Sequence, residues 1–143
     1  MSGAYIGSDM GEAVHPLRED MLFMENVLKF KFRTSQASVC GNVRIVNSPY
    51  KSFKKDDLTY FDEPNATSYY VESPDAIDPL GEGSFTICRY AENNSSAAVA
   101  YSGTYKTCCF GFPLETIQLE RDRTELMESV LSFFAGTPGT VKK

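Results

Sequence analysis

Hydrophobic and polar positions along the chain predict a helix near each end and a block of short strands between them. In the segment from His15 to Phe30, apolar residues recur at spacings of four, three and four, which is the period of an amphipathic helix. Pro16 suits its first turn, and the acidic residues that follow favour the positive end of a helix. The apolar stripe expected to face the core consists of Leu17, Met21, Met24 and Leu28.

A second helix is predicted near the C-terminus. Asp122 is expected to cap it, since Glu125 follows three residues later in the spacing of a capping box. Gly136 is expected to end it, because glycine is common directly after a helix. One face of this helix carries Leu126, Met127, Val130, Leu131 and Phe134.

Between these helices, short runs rich in β-branched and aromatic residues predict strands. Residues 84–90 alternate in polarity, and residues 97–112 are typical of two strands joined by a two-residue hairpin at Ser102 and Gly103. Residues 72–84 are rich in Gly, Pro, Asp and Ser, and they predict a surface loop. Further strands are predicted at 39–47, 58–61 and 68–73.

Only the two terminal helices are available to cover the predicted sheet. Because a parallel pair of strands needs a long crossover connection, most strands must pair antiparallel, with at most one or two parallel neighbours near the ends. The sequence therefore predicts a single domain over residues 1–143, an α/β or α+β layered structure that looks like half of something larger.

Composition and charge restrict the partners of the chain. It has 143 residues, of which 42% are hydrophobic and 23% charged, and its net charge is −5. Nucleic acid is not expected as a partner, because phosphate binding needs clustered Lys and Arg, and the basic cluster at 51–55 is short and followed by two aspartates. A membrane is not expected either, since no stretch approaches the ~20 apolar residues of a span, and no signal peptide is visible.

The four cysteines are interpreted as small apolar core residues. Cys108 and Cys109 are neighbours on a predicted strand and point to opposite faces, so they cannot easily share one partner. The chain has no CxxC spacing, and its one histidine, His15, cannot complete a Cys/His zinc site. No metal or cofactor is expected, and a disulfide between Cys40 and Cys88 stays open.

Several stretches together resemble a known family. The chain is similar to the C-terminal part of a domain in large bacterial proteins described as xanthan lyase-like or golvesin-like, mostly from Bacteroides and its relatives. That domain is similar in fold to class I glutamine amidotransferases. The resemblance therefore implies a partial flavodoxin-like layered sheet with mostly antiparallel visible strands and two flanking helices. It covers nearly the whole chain and is carried by SGAYIGSD, YYVESPDAI, ICRYAENNSSAAVAYSGTYKT, FGFPLETI and RTELMESVLSFF.

Amidotransferase chemistry needs a thiolate nucleophile, an imidazole and a carboxylate that orients the imidazole. SGAYIGSD matches the region of the nucleophile turn and contains no cysteine. GFPLE stands where the family has QFHPE, so Pro113 falls at the histidine and only Glu115 remains. The resemblance thus implies a non-catalytic amidotransferase-like module of a polysaccharide-associated protein, in a periplasmic or extracellular location.

Carboxylates provide the main alternative, which is an enzyme acting on polysaccharide or peptide with partner groups from outside this chain. Loops often carry function, although acids among Ser, Pro and Gly are also typical of a solvated loop. The same acids offer oxygen ligands for calcium, but their spacing does not match an EF-hand. The weak candidate catalytic residues are Glu115, Glu72 and Asp75, with Asp78 and Glu82 in the same 72–82 loop.

A serine hydrolase is a further alternative, with His15 as the base and Ser2 or Ser8 as the nucleophile. Ser8 and Asp9 lie beside an expected helix start, where both residue types commonly act as caps. Capping is therefore the interpretation that we favour for this pair.

Tyrosine is abundant and supplies the candidate ligand-binding residues. Aromatic faces stack against sugars and phenol hydroxyls form hydrogen bonds, so a set of tyrosines on an edge strand could form a carbohydrate platform. Packing between neighbouring strands is the competing interpretation. The weak candidates are Tyr69, Tyr70 and Tyr101.

Assembly is predicted from the expectation that this chain is part of a larger domain. An uncovered strand edge or apolar face would then need a cover, so we expect a homodimer or a neighbouring domain of a longer protein. A pocket that joins Glu115, Glu72 and the SGAYIGSD turn would favour the enzyme, whereas separation of these groups would favour the non-catalytic module.

Overall fold

The protein is a mixed α/β structure with a five-stranded sheet, a separate two-stranded sheet and few helices. The computed structural model describes residues 1–12, 16–46, 49, 53 and 57–136. In chain order the elements are α1 Ser8–Gly11, α2 Arg18–Leu22, a π-helical segment Phe23–Leu28, β1 Phe30–Thr34, β2 Asn42–Ile45, β3 Asp57–Thr59, β4 Ala76–Pro79, β5 Ser84–Tyr90, β6 Ser96–Ser102, β7 Lys106–Phe110, a 3-10 turn Leu114–Thr116 and α3 Glu120–Ala135.

The larger sheet has the strand order β3–β2–β5–β6–β7, and neighbouring strands in it are antiparallel. Its middle strand, β5, has the predicted bounds, and the predicted hairpin of β6 and β7 also forms. Ser102 pairs with Lys106, however, so the hairpin loop has three residues where the sequence predicted two. The prediction of mostly antiparallel strands is confirmed.

A parallel neighbour lies at one edge of this sheet, close to the chain terminus. Ser2 forms a parallel bridge with Phe110 of β7. The amide of Gly3 donates to the carbonyl oxygen of Phe110 at 3.2 Å, and the amide of Phe110 donates to the carbonyl oxygen of Met1 at 3.0 Å. This pairing agrees with the expectation of at most one or two parallel neighbours near the ends.

Two hydrophobic cores lie on opposite faces of the larger sheet. The α3 core contains Ala100 and Cys108 together with the buried face of α3. The N-terminal core contains Val99 and Cys109 with side chains from α1, the π-helical segment, β1 and β4. Cys108 and Cys109 therefore face opposite cores as predicted. Cys40 and Cys88 are free thiols, so the disulfide left open above is not formed.

The segment 72–84 was predicted as a surface loop, and this prediction is wrong. Its residues 76–79 form β4, which pairs with β1 in the two-stranded sheet. Phe30 and Ile77 from these two strands are fully buried in the N-terminal core. The sequence pattern did not predict this strand of four residues, because turn-forming residues surround it. Its burial depends on packing against elements that are distant in the sequence.

The first helix is shorter than predicted. The helical segments span residues 18–28, and Phe30 already belongs to β1. Lys29 ends the helix with φ of 65°, the left-handed conformation that often follows a last helical turn. Met24 and Leu28 are buried as expected, whereas Leu17 is 64% exposed and Met21 is also exposed. Only the C-terminal half of the predicted stripe therefore faces the core, and His15 lies outside the described residues.

Segment 68–73 was predicted as a strand, but it forms no regular strand. It is held by one backbone hydrogen bond from the amide of Val71 to the carbonyl oxygen of Phe61, at 2.7 Å. Val71 is buried, while Tyr69 and Tyr70 are exposed. The aromatic residues that suggested a strand, Tyr69 and Tyr70, are therefore exposed to solvent and do not pack in a sheet.

The C-terminal helix forms and ends at the predicted glycine, but its start and buried face differ from the prediction. Glu120 is its first residue, so Asp122 lies inside the first turn, where Arg121 donates to it at 2.9 Å. The helix buries positions spaced by four and three, since this stripe meets the sheet. The buried apolar residues are Leu126, Val130 and Phe133, and the exposed ones are Met127, Leu131 and Phe134.

Lys106 on β7 ties the C-terminal end of α3 to the sheet. Its ammonium group donates to the carbonyl oxygen of Phe133 at 2.6 Å and also to that of Gly136. The same nitrogen lies 5.0 Å from the ring centre of Phe133. A cation at this place satisfies the last carbonyl groups of the helix and complements the negative end of its dipole. Among the described residues, no helix is both long and apolar enough to cross a bilayer.

Replacement of Lys106 tests this cap. Lys106→Met keeps the apolar stem and removes the charged donor, so we expect it to lower the free energy of unfolding by about 1 to 2 kcal/mol. Lys106→Arg retains a charged donor and should recover part of the loss. Urea denaturation of the three proteins measures this, and equal stability of the wild type and Lys106→Met would contradict the cap.

Candidate functional site

The GFPLE segment leaves the sheet directly after β7. Gly111 is required here by a close backbone approach, because a Cβ atom at this position would lie 2.0 Å from the carbonyl oxygen of Asp75. Its amide donates to Ala97 and its carbonyl oxygen accepts from the amide of Asp75, both at 2.8 Å. Pro113 is buried, and the 3-10 turn that follows leaves Glu115 exposed at the surface.

A short antiparallel pairing brings a second segment against Glu115. Tyr60 forms an antiparallel bridge with Ile117. The amide of Phe61 donates to the carbonyl oxygen of Thr116 at 2.9 Å, and the amide of Gln118 donates to that of Thr59 at 2.8 Å. The carbonyl oxygen of Phe61 also accepts from the amide of Val71. The 67–71 segment therefore lies close to Glu115 as well.

Tyr69 and Glu115, two of the candidates from sequence, meet in a direct hydrogen bond. The phenol oxygen of Tyr69 donates to Oε1 of Glu115 at 2.6 Å. Desolvation, followed by the hydrogen bond to Glu115 and the negative charge of Glu115, together raise the pKa of Tyr69 to about 12. Tyr69 is therefore a neutral donor at physiological pH.

The other two tyrosine candidates do not join this pair. Tyr70 is exposed beside Tyr69 but does not line the cavities next to Glu115. Tyr101 lies on β6, with its ring centre 4.9 Å from that of Tyr105 and 5.6 Å from the ammonium of Lys29. These contacts belong to the packing of the hairpin against the π-helical segment. The three tyrosines thus do not form one platform.

Two cavities adjoin Glu115, and both are lined by Glu115 and Arg123. One, called here the polar cleft, has a volume of about 550 Å³; the other, called the α3 groove, has a volume of about 620 Å³. The polar cleft is lined by Phe61, Thr67, Ser68, Glu115, Gln118, Glu120 and Arg123. The α3 groove is lined by Ser2, Leu114, Glu115, Arg123, Thr124, Met127, Glu128 and Leu131.

Asn65 fixes the loop that carries two of the cleft residues. Its side-chain oxygen accepts from the amide of Thr67 at 2.9 Å, from the hydroxyl of Thr67 at 2.9 Å and from the amide of Ser68 at 2.8 Å. This is an Asx-type turn, which holds a short loop in one conformation without help from a sheet. The sequence signal for this turn is the Asn-x-Thr spacing of residues 65–67.

Asp75 is fully buried and holds the start of α1. Its Oδ2 accepts from the amides of Gly7 and Ser8 at 2.8 and 2.9 Å, and from the Ser8 hydroxyl at 3.2 Å. Desolvation raises its pKa to about 6, although the three hydrogen bonds act in the opposite direction. Ser8 was predicted to cap the helix; instead it is the first helical residue, and Asp75 accepts the hydrogen bonds that a cap would accept.

The acids of the 72–82 segment do not converge. Glu72 and Glu82 are exposed, and Asp78 pairs with Arg33 at 3.5 Å on the surface. A pocket joining Glu115, Glu72 and the SGAYIGSD turn would favour an enzyme, and only some of these groups meet. Ser2 and Glu115 line the α3 groove, but Glu72 does not, and Asp75 contacts the SGAYIGSD segment at a different place.

The buried thiols are held in the protonated form. Desolvation raises the pKa of Cys108 to about 12 and that of Cys109 to about 11, and it raises the pKa of Cys88 further still. Among the described residues, no group of three or more His, Cys, Asp or Glu side chains lies together so as to hold a metal ion. His15 and the basic residues of the 51–55 cluster lie outside the described part of the chain.

Comparisons of the chain with models of protein families, with curated proteins and with solved structures found no match. The candidate site therefore stands on its own geometry. Sequence reasoning identified Tyr69 and Glu115 as separate candidates, but it missed their contact and the cleft residues Gln118 and Arg123. Gln118 joins the cleft through the pairing of Tyr60 with Ile117, for which the sequence carries no local signal, and Arg123 joins it from the first turn of α3.

Asp75 gives a pH-dependent prediction. Its native pKa of about 6 exceeds the ordinary value of 3.8, so the native state binds this proton more tightly than the unfolded chain. The contribution of Asp75 to stability is therefore fully present below the ordinary pKa and is lost as the pH rises through about 6. Asp75→Asn should remove this loss. The unfolding free energy of the wild type, relative to the variant, should fall by about 2 to 3 kcal/mol between about pH 4 and pH 7.

Urea denaturation at a series of pH values measures this difference. Glu82→Gln is the matched control, because it removes an exposed acid and should leave the pH profile close to that of the wild type. Parallel profiles for the wild type and Asp75→Asn would contradict the assignment.

Proposed function

We propose that this chain is a non-catalytic amidotransferase-like module of a polysaccharide-associated bacterial protein, and that it acts by binding and positioning. The observation that carries the proposal is the 2.6 Å hydrogen bond from Tyr69 to Glu115. In a thiol amidotransferase the corresponding carboxylate accepts from an imidazole and orients it. Here the carboxylate accepts from a phenol that remains neutral, which suits a fixed acceptor for a ligand.

The surroundings of Glu115 support the same function. Pro113, which matches the histidine position of the family, is buried and carries no titratable group. The nearest approach of the SGAYIGSD segment to the α3 groove is made by Ser2, and the buried cysteines are protonated thiols inside the two cores. We also propose a partial flavodoxin-like sheet. The parallel pairing of residues 1–3 with β7 and the helices on both faces of the larger sheet are compatible with it.

One observation favours the alternative of a polysaccharide-acting enzyme. Asp75 has a pKa near the pH at which a general acid works, and its partner Ser8 lines a small cavity of about 390 Å³ together with Glu12 and Ser73. Against this, the carboxyl group itself is fully buried and both amides of the α1 start donate to it. We therefore rank the enzyme second.

Turnover assays separate these two functions. The purified chain is incubated with glutamine and with polysaccharides, and the release of ammonia and of new reducing ends is measured. The proposal predicts no turnover above the buffer control for the wild type, and the same result for Glu115→Gln and Asp75→Asn. Turnover that either variant abolishes while it remains folded would refute the non-catalytic module.

The α3 groove supports a proposal about assembly, in which a second copy of this chain covers it. Two of its apolar side chains, Met127 and Leu131, belong together with Phe134 to one stripe on α3, and all three are more than 40% exposed. Ser2, which forms the parallel bridge with Phe110 of the edge strand β7, lines the same groove. A helix stripe beside a strand edge can pair with its own copy across a two-fold axis, which is the commonest arrangement of soluble oligomers.

Sedimentation velocity tests this assembly. We expect the wild type to sediment as a dimer and Leu131→Glu to sediment as a monomer, because the variant places a charge in the covered stripe. Leu17→Glu changes an equally exposed leucine outside the groove and should remain dimeric. A monomeric wild type at every concentration would contradict self-association.

A further inference from the structure

We infer that the polar cleft binds a neutral sugar chain, with Glu115 and Gln118 as hydrogen-bonding groups. This inference rests on the proposed function, because it assumes that the ligand is bound and not turned over. The volume of about 550 Å³ lies in the ordinary range for a small-ligand cavity.

The chemistry of the lining suits the hydroxyl groups of a sugar. Carboxylate and amide oxygens accept from hydroxyls, while amide and guanidinium groups donate to them. The Gln118 amide nitrogen already donates to the carbonyl oxygen of Tyr60 at 3.3 Å, which leaves the side-chain oxygen as an acceptor. The ring of Phe61, which is half-buried in the same lining, offers an apolar surface for the C–H face of a sugar ring.

Glu115 has one oxygen committed and one available. Oε1 accepts from Tyr69, and among the described residues Oε2 has no hydrogen-bond partner. The bond to Tyr69 restricts the rotation of a side chain that would otherwise be mobile at the surface, so less conformational entropy is lost when a ligand binds. Tyr69 is thus a positioning residue, whereas Glu115 is, like Gln118, a binding residue.

The charge of the cleft selects neutral over acidic sugars. Its lining carries two carboxylates, Glu115 and Glu120, and one guanidinium group, that of Arg123. Arg123 uses one of its nitrogens to donate to the carbonyl oxygen of Ile117 at 2.5 Å. The local charge is therefore negative, as is the net charge of −5, and both repel uronate or phosphate groups.

The cleft is formed before any ligand arrives. Thr67 and Ser68 are fixed by the Asn65 turn, and Gln118 is fixed by backbone pairing with Thr59. A site whose polar groups are already ordered binds with a smaller entropic penalty than a flexible loop does.

Oligosaccharide titration of the purified full chain tests the inference. The neutral probes are cellohexaose, mannohexaose and xylohexaose, and the anionic probe is a galacturonate hexamer. Binding is followed by ¹⁵N NMR, which reports both affinity and location, at one fixed pH and ionic strength. We expect at least one neutral probe to bind, with shift changes centred on the amides of residues 61, 67–69 and 115–118, and the galacturonate hexamer to bind at least 10-fold more weakly.

Variants separate binding from folding. Glu115→Gln keeps the size of the side chain and removes its charge, so we expect roughly 10- to 100-fold weaker binding of the neutral probe. Tyr69→Phe keeps the ring and removes the donor, and it should weaken binding by a smaller factor. Glu82→Gln makes the same charge change at an exposed position outside the cleft and should bind as the wild type does. The NMR spectrum of each variant verifies that it is folded.

The outcomes are distinguishable. Absence of binding by all three neutral probes would overturn the inference, and so would unchanged affinity in folded Glu115→Gln or tighter binding of the galacturonate hexamer. None of these results bears on whether the chain is catalytic. New reducing ends released from a bound probe would instead refute the non-catalytic function while leaving the location of the cleft correct.

Discussion

The backbone pairing of Tyr60 with Ile117 is the constraint on which the candidate site depends. It joins the segment after β3 to the segment after β7. These two segments leave the larger sheet from different strands, and the pairing brings them together. A buried aromatic contact anchors it, since the rings of Tyr60 and Phe112 stack with their centres 5.3 Å apart. Once this pairing exists, Phe61 lies opposite Thr116 and Gln118 lies opposite Thr59, and both Phe61 and Gln118 line the polar cleft. The carbonyl oxygen of Phe61 then accepts from the amide of Val71 in the loop that carries Tyr69.

A second contact links the layers of the fold around Gly111 and Asp75. Gly111 exchanges backbone hydrogen bonds with Ala97 and Asp75, and the hydroxyl of Tyr90 donates to the carbonyl oxygen of Asp75 at 2.7 Å. The carboxylate of Asp75 then reaches α1 through Gly7. Polar groups of the sheet, of the residue before β4 and of the N-terminal segment thus hydrogen-bond to one another in the interior, although Oδ1 of Asp75 has no partner among the described residues. These bonds fix the direction in which the chain leaves β7 towards Glu115.

The sequence predicts best those elements whose neighbours follow directly along the chain. The bounds of β5, the hairpin of β6 and β7, the opposite orientation of Cys108 and Cys109, and the end of α3 at Gly136 all follow from local periodicity or turn chemistry. β4 and the Tyr69 loop do not, because tertiary packing decides them. Four residues among turn formers become a buried strand against β1, and two apolar tyrosines remain solvated. The cleft could not be predicted for the same reason, since Tyr69 and Glu115 are 46 residues apart and meet only through other segments.

The central claim is that Glu115 is a fixed hydrogen-bond acceptor held by a neutral Tyr69. An NMR titration of the protein labelled at the tyrosine Cζ carbon, with Tyr69→Phe for assignment, tests it most directly. The account predicts that the Tyr69 signal keeps the shift of a neutral phenol through the ordinary range near 10 and titrates with a pKa of about 12, which Glu115→Gln lowers. An ordinary tyrosine pKa in the wild type, or a raised pKa that Glu115→Gln leaves unchanged, would contradict it.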